Sequence, residues 1–380
     1  MLALRLARGS HPLVLLRRLL VAAASAGVGF LLLCTLGWAV NHPSGSLLRL
    51  LWCVLPLAAT LQFAVAVART DPSTRPRSGL SAVGLGPAQL TALAAASTML
   101  SCAVGSMVAL LFFLHLRGDI TGLPFDGAAA DLLGAGHPLP LAAALTLLAV
   151  VPVLAGAATG LALRPRRTRP TEHTDSELPA PSGLPWGVAL TAAGLAVETY
   201  ASRSGSGSPL PMPGRFEGSP AGVLAGWSLT ALGLALAGPG IAYLCGQLLQ
   251  MLRPGTTRLL AGRILMDEAV RIGRPLGVVC AVISGGFAAA ALYGPGDERP
   301  FGPLTGLGAT LVVGCTVATL LLAVLEAKHA RTDTTAALVR VGAPTGLLRT
   351  AAALRAGALL AVFGPLTWMI AALAAVPLAG

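Results

Sequence analysis

Long uncharged apolar runs recur along almost the whole 380-residue chain. A helix needs about 20 such residues to cross a hydrocarbon core of about 30 Å. Backbone polar groups in that core find no water, so a run of this kind must satisfy them internally as a helix. Applying that length places spans near 19–40, 46–68, 89–116, 139–163, 185–200, 220–249, 273–293, 304–326 and 350–378. The expected fold class is an all-α polytopic membrane protein with about nine transmembrane helices, and the run lengths tolerate eight to ten. The run at 185–200 is the shortest. Charged residues make up 11% of the chain, about half the share of an average soluble domain. A soluble fold is therefore excluded.

The cations are sorted along the chain. Of the 26 Lys and Arg, only Arg49, Arg117, Arg203, Arg215 and Arg299 fall on the proposed outer side of this layout. The rest cluster in the N-terminal segment and in the alternate loops. By the positive-inside rule this puts the N-terminus in the cytoplasm and, with nine spans, the C-terminus outside. The net charge of +11 follows from that sorting and does not call for a nucleic-acid partner. Lys328 is the only lysine; the Arg bias fits a GC-rich bacterial genome. The expected location is the bacterial plasma membrane. Arg5, Arg8, Arg17 and Arg18 precede the first run. That run is longer than a signal-peptide core and lacks a small-x-small cleavage site, so it reads as an uncleaved span.

Four segments follow from composition. Residues 1–163 form a first unit, 164–184 a polar, Pro-rich cytoplasmic linker, 185–252 a connecting pair of spans, and 253–380 a second unit. Residues 256–274 read as an interfacial helix, because Arg258, Arg263, Asp267, Arg271 and Arg274 recur near every fourth position beside Leu260, Ile264 and Leu265. Residues 2–18 read similarly.

No chemistry of its own is legible in the chain. It has no phosphate-binding GxxxxGK[ST] loop, no HExxH, no GxSxG and no CxxC. The catalytic set and the metal-ligand set are both empty. Cys34, Cys53, Cys102, Cys245, Cys280 and Cys315 all lie in apolar runs and read as small core residues. Glu198, His115, Asp267, Glu268 and Glu326 fall at span ends or in elbows and read as solvated boundary charges, which counts against an ion-coupled carrier. Gly238-Pro239-Gly240 reads as an interruption of the sixth span, either a static kink or a hinge. Gly156-xxx-Gly160 is a candidate close-packing site.

One segment occurs twice. Leu80, Val83, Gly84 and Leu90 recur in register as Leu338, Val341, Gly342 and Leu348. Each copy follows a basic stretch after an apolar run and leads into another apolar run. Arg75 and Arg77 flank the first copy, which continues through Pro87 and Gln89; Lys328, Arg331 and Arg349 flank the second. These elbows resemble those of the FtsX/MacB-like (type VII) permeases of ABC transporters. The likeness covers most of the chain as two pseudo-repeated units, in a two-unit form without a large extracellular domain.

The resemblance implies that each elbow is a cytoplasmic coupling helix. Leu80, Val83, Gly84, Pro87, Leu338, Val341 and Gly342 would dock on a cytosolic ABC ATPase, present in two copies. Arg75, Arg77, Lys328, Arg331 and Arg349 would pair with acids of that partner or with anionic lipid. ATP and Mg²⁺ would belong to the partner, and this chain would carry no cofactor. The implied activity is export of a hydrophobic peptide, antibiotic or lipid. A mechanical signalling subunit without cargo and an ion-coupled secondary transporter are the alternatives.

Overall fold

A computed structural model describes residues 12–41, 50–70, 86–120, 127–133, 135, 138–164, 181–203, 209–210, 219–251, 255–292 and 302–375. Their helices are α1 (Pro12–Asn41), α2 (Val54–Thr70), α3 (Pro87–Arg117), α4 (Ala130–Leu133), α5 (Leu141–Ala162) and α6 (Gly183–Arg203). They continue as α7 (Ala221–Met251), α8 (Thr256–Leu292), α9 (Pro303–Ala330), α10 (Thr332–Arg340) and α11 (Thr345–Ala375). Two-residue strands, Pro209–Leu210 and Ser219–Pro220, pair antiparallel between α6 and α7. Among the described residues eight helices are long and apolar enough to cross a membrane: α1, α2, α3, α5, α7, α8, α9 and α11. Leu93, Leu100 and Leu111 on α3, and Leu360 and Trp368 on α11, are exposed. Apolar faces of that extent suit lipid and not water. The chain is an all-α multi-pass membrane protein.

The expected 185–200 span is helical as α6, 21 residues long. It falls outside the eight because Pro185, Trp186, three glycines and Glu198 dilute its apolar residues. Its length of about 31 Å still matches a bilayer core. The C-terminal run forms one helix of 31 residues, α11, as its unbroken hydrophobicity implied. Residues 256–274 do not form a separate interfacial helix. They continue through Pro275 into α8, a single helix of 37 residues. At about 55 Å it is far longer than a bilayer core. The helix starting at Pro12 likewise includes residues 12–18, and the earlier part of that expected interfacial segment lies outside the described residues.

The chain divides into two compact units. The first comprises Met1–Arg169, Pro211–Arg215 and Phe301–Thr319. In it α1 and α3 run parallel in close contact. The Ser25 hydroxyl donates to the Cys102 carbonyl at 2.8 Å. Gly105 lies so close to the Ala22 carbonyl that a Cβ there would collide with it. Phe30 sits against Phe112 and Phe113, ring centroids 5.8 and 6.1 Å apart. Phe113, Leu33 and Leu148 are among the fully covered core residues. The Ser106 hydroxyl donates to the Leu148 carbonyl at 3.2 Å and ties α3 to α5. Gly156 and Gly160 face Met99 and Ala95 at ordinary van der Waals distances. The close backbone approach of α1 and α3 is therefore at Gly105.

The second unit comprises Pro170–Leu210, Phe216–Pro300 and Leu320–Gly380. Its centre is α7, gripped by α6 on one side and α8 on the other. Both seams are antiparallel and built on glycine. Along α6–α7, Gly187 meets Ala237, Gly233 meets Thr191, Gly194 meets Thr230 and Gly226 meets Glu198. Along α7–α8, Gly285 meets Trp227, Gly277 meets Leu234, Gly238 meets Gly273 and Gly246 meets Met266. Small residues let backbones approach in lipid, where dispersion packing must replace the missing hydrophobic drive. The Gly238-Pro239-Gly240 segment does not break α7, which is continuous over 31 residues. Its glycine is explained by contact instead: Gly238 presses on the Gly273 carbonyl.

In the same unit α8 and α11 run parallel. The Cys280 thiol lies 2.9 Å from the Thr367 hydroxyl, and the Ser284 hydroxyl donates to the Thr367 carbonyl at 3.2 Å. All six cysteines are buried and none is in a disulfide, in keeping with core residues.

Candidate functional site

The sequence singles out the two elbows, and the structure describes the second. Thr332–Arg340 forms the short helix α10 between α9 and α11. Polar Thr332, Thr334 and Thr335 open it, and Leu338 and Val339 follow. Thr332 and residues 334–342 are all exposed, Val341 at 89%. The helix ends in a Schellman turn. The Gly342 N–H donates to the Val339 carbonyl at 3.0 Å, and the Ala343 N–H donates to the Leu338 carbonyl at 3.0 Å. Gly342 adopts φ +98°, a conformation that costs an L-residue about 1–2 kcal/mol. Open space surrounds it, so strain can be tested apart from collision. Gly342→Val is expected to loosen the turn by about that energy and to speed amide exchange at Gly342 and Ala343 without unfolding the chain. Hydrogen-exchange mass spectrometry would read it.

Leu338, Val341 and Gly342 are thus brought together on one exposed corner. Lys328 and Arg349 stand exposed on the adjoining ends of α9 and α11. Arg331 differs. It is the residue between α9 and α10, and its guanidinium is only partly exposed. Its Nε donates to the Ala327 carbonyl at 3.0 Å and forms an ion pair with Glu268 of α8. Arg355 of α11 reaches the other carboxylate oxygen of Glu268 at 3.4 Å. Three segments therefore converge on one carboxylate.

In the first elbow, Leu80, Val83, Gly84, Arg75 and Arg77 lie outside the described residues. Pro87 is the first residue of α3, where a missing N–H costs nothing. The Gln89 side-chain carbonyl accepts from the Gly86 N–H at 3.2 Å and caps that end.

Two carboxylates depart from the expectation of solvated boundary charges. Glu268 is 4% exposed and Glu198 is 1% exposed. Position along the helix does not decide solvation here, because α7 packs over Glu198 and two arginines cover Glu268. Glu268 is buried with partners, as a charge in a low-dielectric interior requires. Glu198 ends the α6–α7 glycine seam against Gly226, and among the described residues its Oε2 has no hydrogen-bond partner. Sequence reasoning missed both. The small-residue spacing at Gly187, Thr191 and Gly194, repeated at Gly226, Thr230 and Gly233, was the available signal that Glu198 faces a neighbour.

Compared with known proteins, the chain matches no family model, no curated protein and no solved structure.

Proposed function

We propose that this chain is the permease subunit of an ATP-driven ABC exporter whose ATPase is a separate cytosolic protein. The observation that carries this reading is the exposed elbow α10. A short helix with uncovered Leu338, Val339 and Val341, set between two long apolar helices, offers a partner an apolar contact that nothing else in the described chain covers. The repeat of its sequence at Leu80–Leu90 supplies a second elbow. The parallel pairing of α1 with α3 in one unit and of α8 with α11 in the other supports reading the units as repeats. Two ATPase copies would dock, close around ATP and Mg²⁺, and draw the elbows together. A hydrophobic peptide, antibiotic or lipid would be expelled.

In this reading the N-terminus is cytoplasmic and the membrane is the bacterial plasma membrane, on the sorting of Arg and Lys. For Arg253, Arg258 and Arg263 to share a side with Arg164, Arg166 and Arg167, α6 must cross the bilayer. Its antiparallel seam with α7 supports that crossing. The test is a mild-detergent pull-down of the tagged chain with mass spectrometry. A stoichiometric P-loop ATPase is the expected result; a folded, monodisperse chain without one overturns the reading.

A second reading draws on Glu198. A buried carboxylate with one oxygen unsatisfied inside a membrane protein points to an ion or proton pathway. If that reading holds, transport collapses with the proton gradient, ignores ATP, and loses its gradient dependence in Glu198→Gln. If the exporter reading holds, Glu198→Gln leaves ATP-dependent transport within about twofold of wild type, because an amide of the same shape fits the site without the cost of a buried charge. Flux assays in proteoliposomes separate the two.

A further inference from the structure

We propose that Glu268 anchors the elbow to the helix bundle, so that a displacement of α10 moves α8 and α11 with it. The inference deepens the permease reading and rests on it for the functional consequence. Every described side chain from Thr332 to Gly342 is exposed, so packing does not hold α10 in place. Two connections remain: the backbone through α9 and α11, and Arg331 at the corner. Arg331 is the last residue before α10 begins, and its guanidinium forms an ion pair with Glu268 of α8. The same carboxylate is bonded by Arg355, ten residues into α11.

The arrangement is specific. A helix cannot slide past its neighbour without separating a buried carboxylate from two guanidiniums, and an unpaired charge in that environment is strongly disfavoured. The elbow, α8 and α11 therefore share one electrostatic joint. Further along, Cys280, Ser284 and Thr367 hold α8 and α11 together a second time. With two fixed points on one pair of helices, a push at the joint shifts both helices as a body. Asp267 and Arg271, neighbours of Glu268 on α8, also bear on its carboxylate.

The experiment uses the full chain in lipid nanodiscs. Spin labels are placed at Ala336 on α10 and Arg263 on α8, both exposed; the native cysteines are buried. Distances between them are read by pulsed electron paramagnetic resonance. A single narrow distribution is expected for the native joint. Glu268→Gln should broaden it severalfold. Arg331→Gln, which leaves Glu268 paired with Arg355, should do the same if the Glu268 variant fails to fold. With the ATPase bound, both variants should retain hydrolysis but lose at least tenfold in transport per ATP.

An unchanged narrow distribution in both variants overturns the anchor. So does unchanged transport per ATP. If the native chain captures no ATPase, the permease reading fails while the distance measurement still decides the anchor.

Discussion

Replacing Gly238 or Gly277 by leucine is expected to abolish recovery of the folded protein. A Cβ at Gly238 would meet the Gly273 carbonyl oxygen, and one at Gly277 would meet the Leu234 carbonyl oxygen. Both obstacles are backbone, which cannot rotate aside. The helices would have to part along α7–α8, where the seam runs from Trp227 with Gly285 to Gln250 with Gly262. Overpacking a core typically costs about 1–3 kcal/mol, and four added heavy atoms at a backbone contact should reach or exceed the top of that range. With native stability of about 5–15 kcal/mol, such a loss empties much of the folded population. Gly286→Leu and Gly364→Leu serve as controls, because open space surrounds both. Fluorescence-detected size exclusion in detergent should show a monodisperse peak for the controls and aggregate for Gly238→Leu and Gly277→Leu. Four similar profiles would mean that the α7–α8 seam is not the tight contact described.

Carrying Asp at both Leu338 and Val341 is expected to leave the chain folded and, on the proposed exporter reading, to abolish capture of the proposed ATPase. The two side chains are 38% and 89% exposed, so charging them costs the isolated chain little. At an interface the balance reverses. Losing a central apolar anchor costs about 2 kcal/mol or more, and each 1.4 kcal/mol is tenfold in affinity. Two anchors lost, with two carboxylates buried in their place, should weaken capture by on the order of a thousandfold. Lys328→Gln with Arg349→Gln should weaken it far less, because exposed ion pairs are worth about 0–1 kcal/mol each. Titrating the ATPase identified by the pull-down onto the immobilised chain measures all of these. Full capture by the double Asp variant would remove the elbow from the interface and, with it, the main support for the exporter reading.

The second elbow was legible as a connection between two long apolar runs, and the structure places α10 there; most of the first lies outside the described residues. The structure adds to Gly342 a left-handed backbone and a turn that caps two carbonyls at the end of α10. The role of Arg331 was not legible. A basic residue after a span fits the positive-inside pattern whether or not it is paired. Its partner lies 63 positions upstream on α8, and no local rule connects the two.

Hydrophobicity, summed over about twenty residues, fixed the class of fold, because the membrane demands helices of that length. It also fixed α11 as one helix and the cysteines as core residues. Other points depended on which faces meet. The glycine at Gly238 signals a bend or a close contact equally well, and only the opposing Gly273 shows that it is a contact. Glu198 stands in the last turns of α6, and Glu268 lies in a polar stretch that the sequence places before a span, so water is the expected neighbour of both. Burial came from α7 in one case and from Arg331 and Arg355 in the other. The length of a helix is a sum over its own residues and can be read locally. The solvation of a side chain depends on helices distant in sequence, so only the tertiary structure decides it.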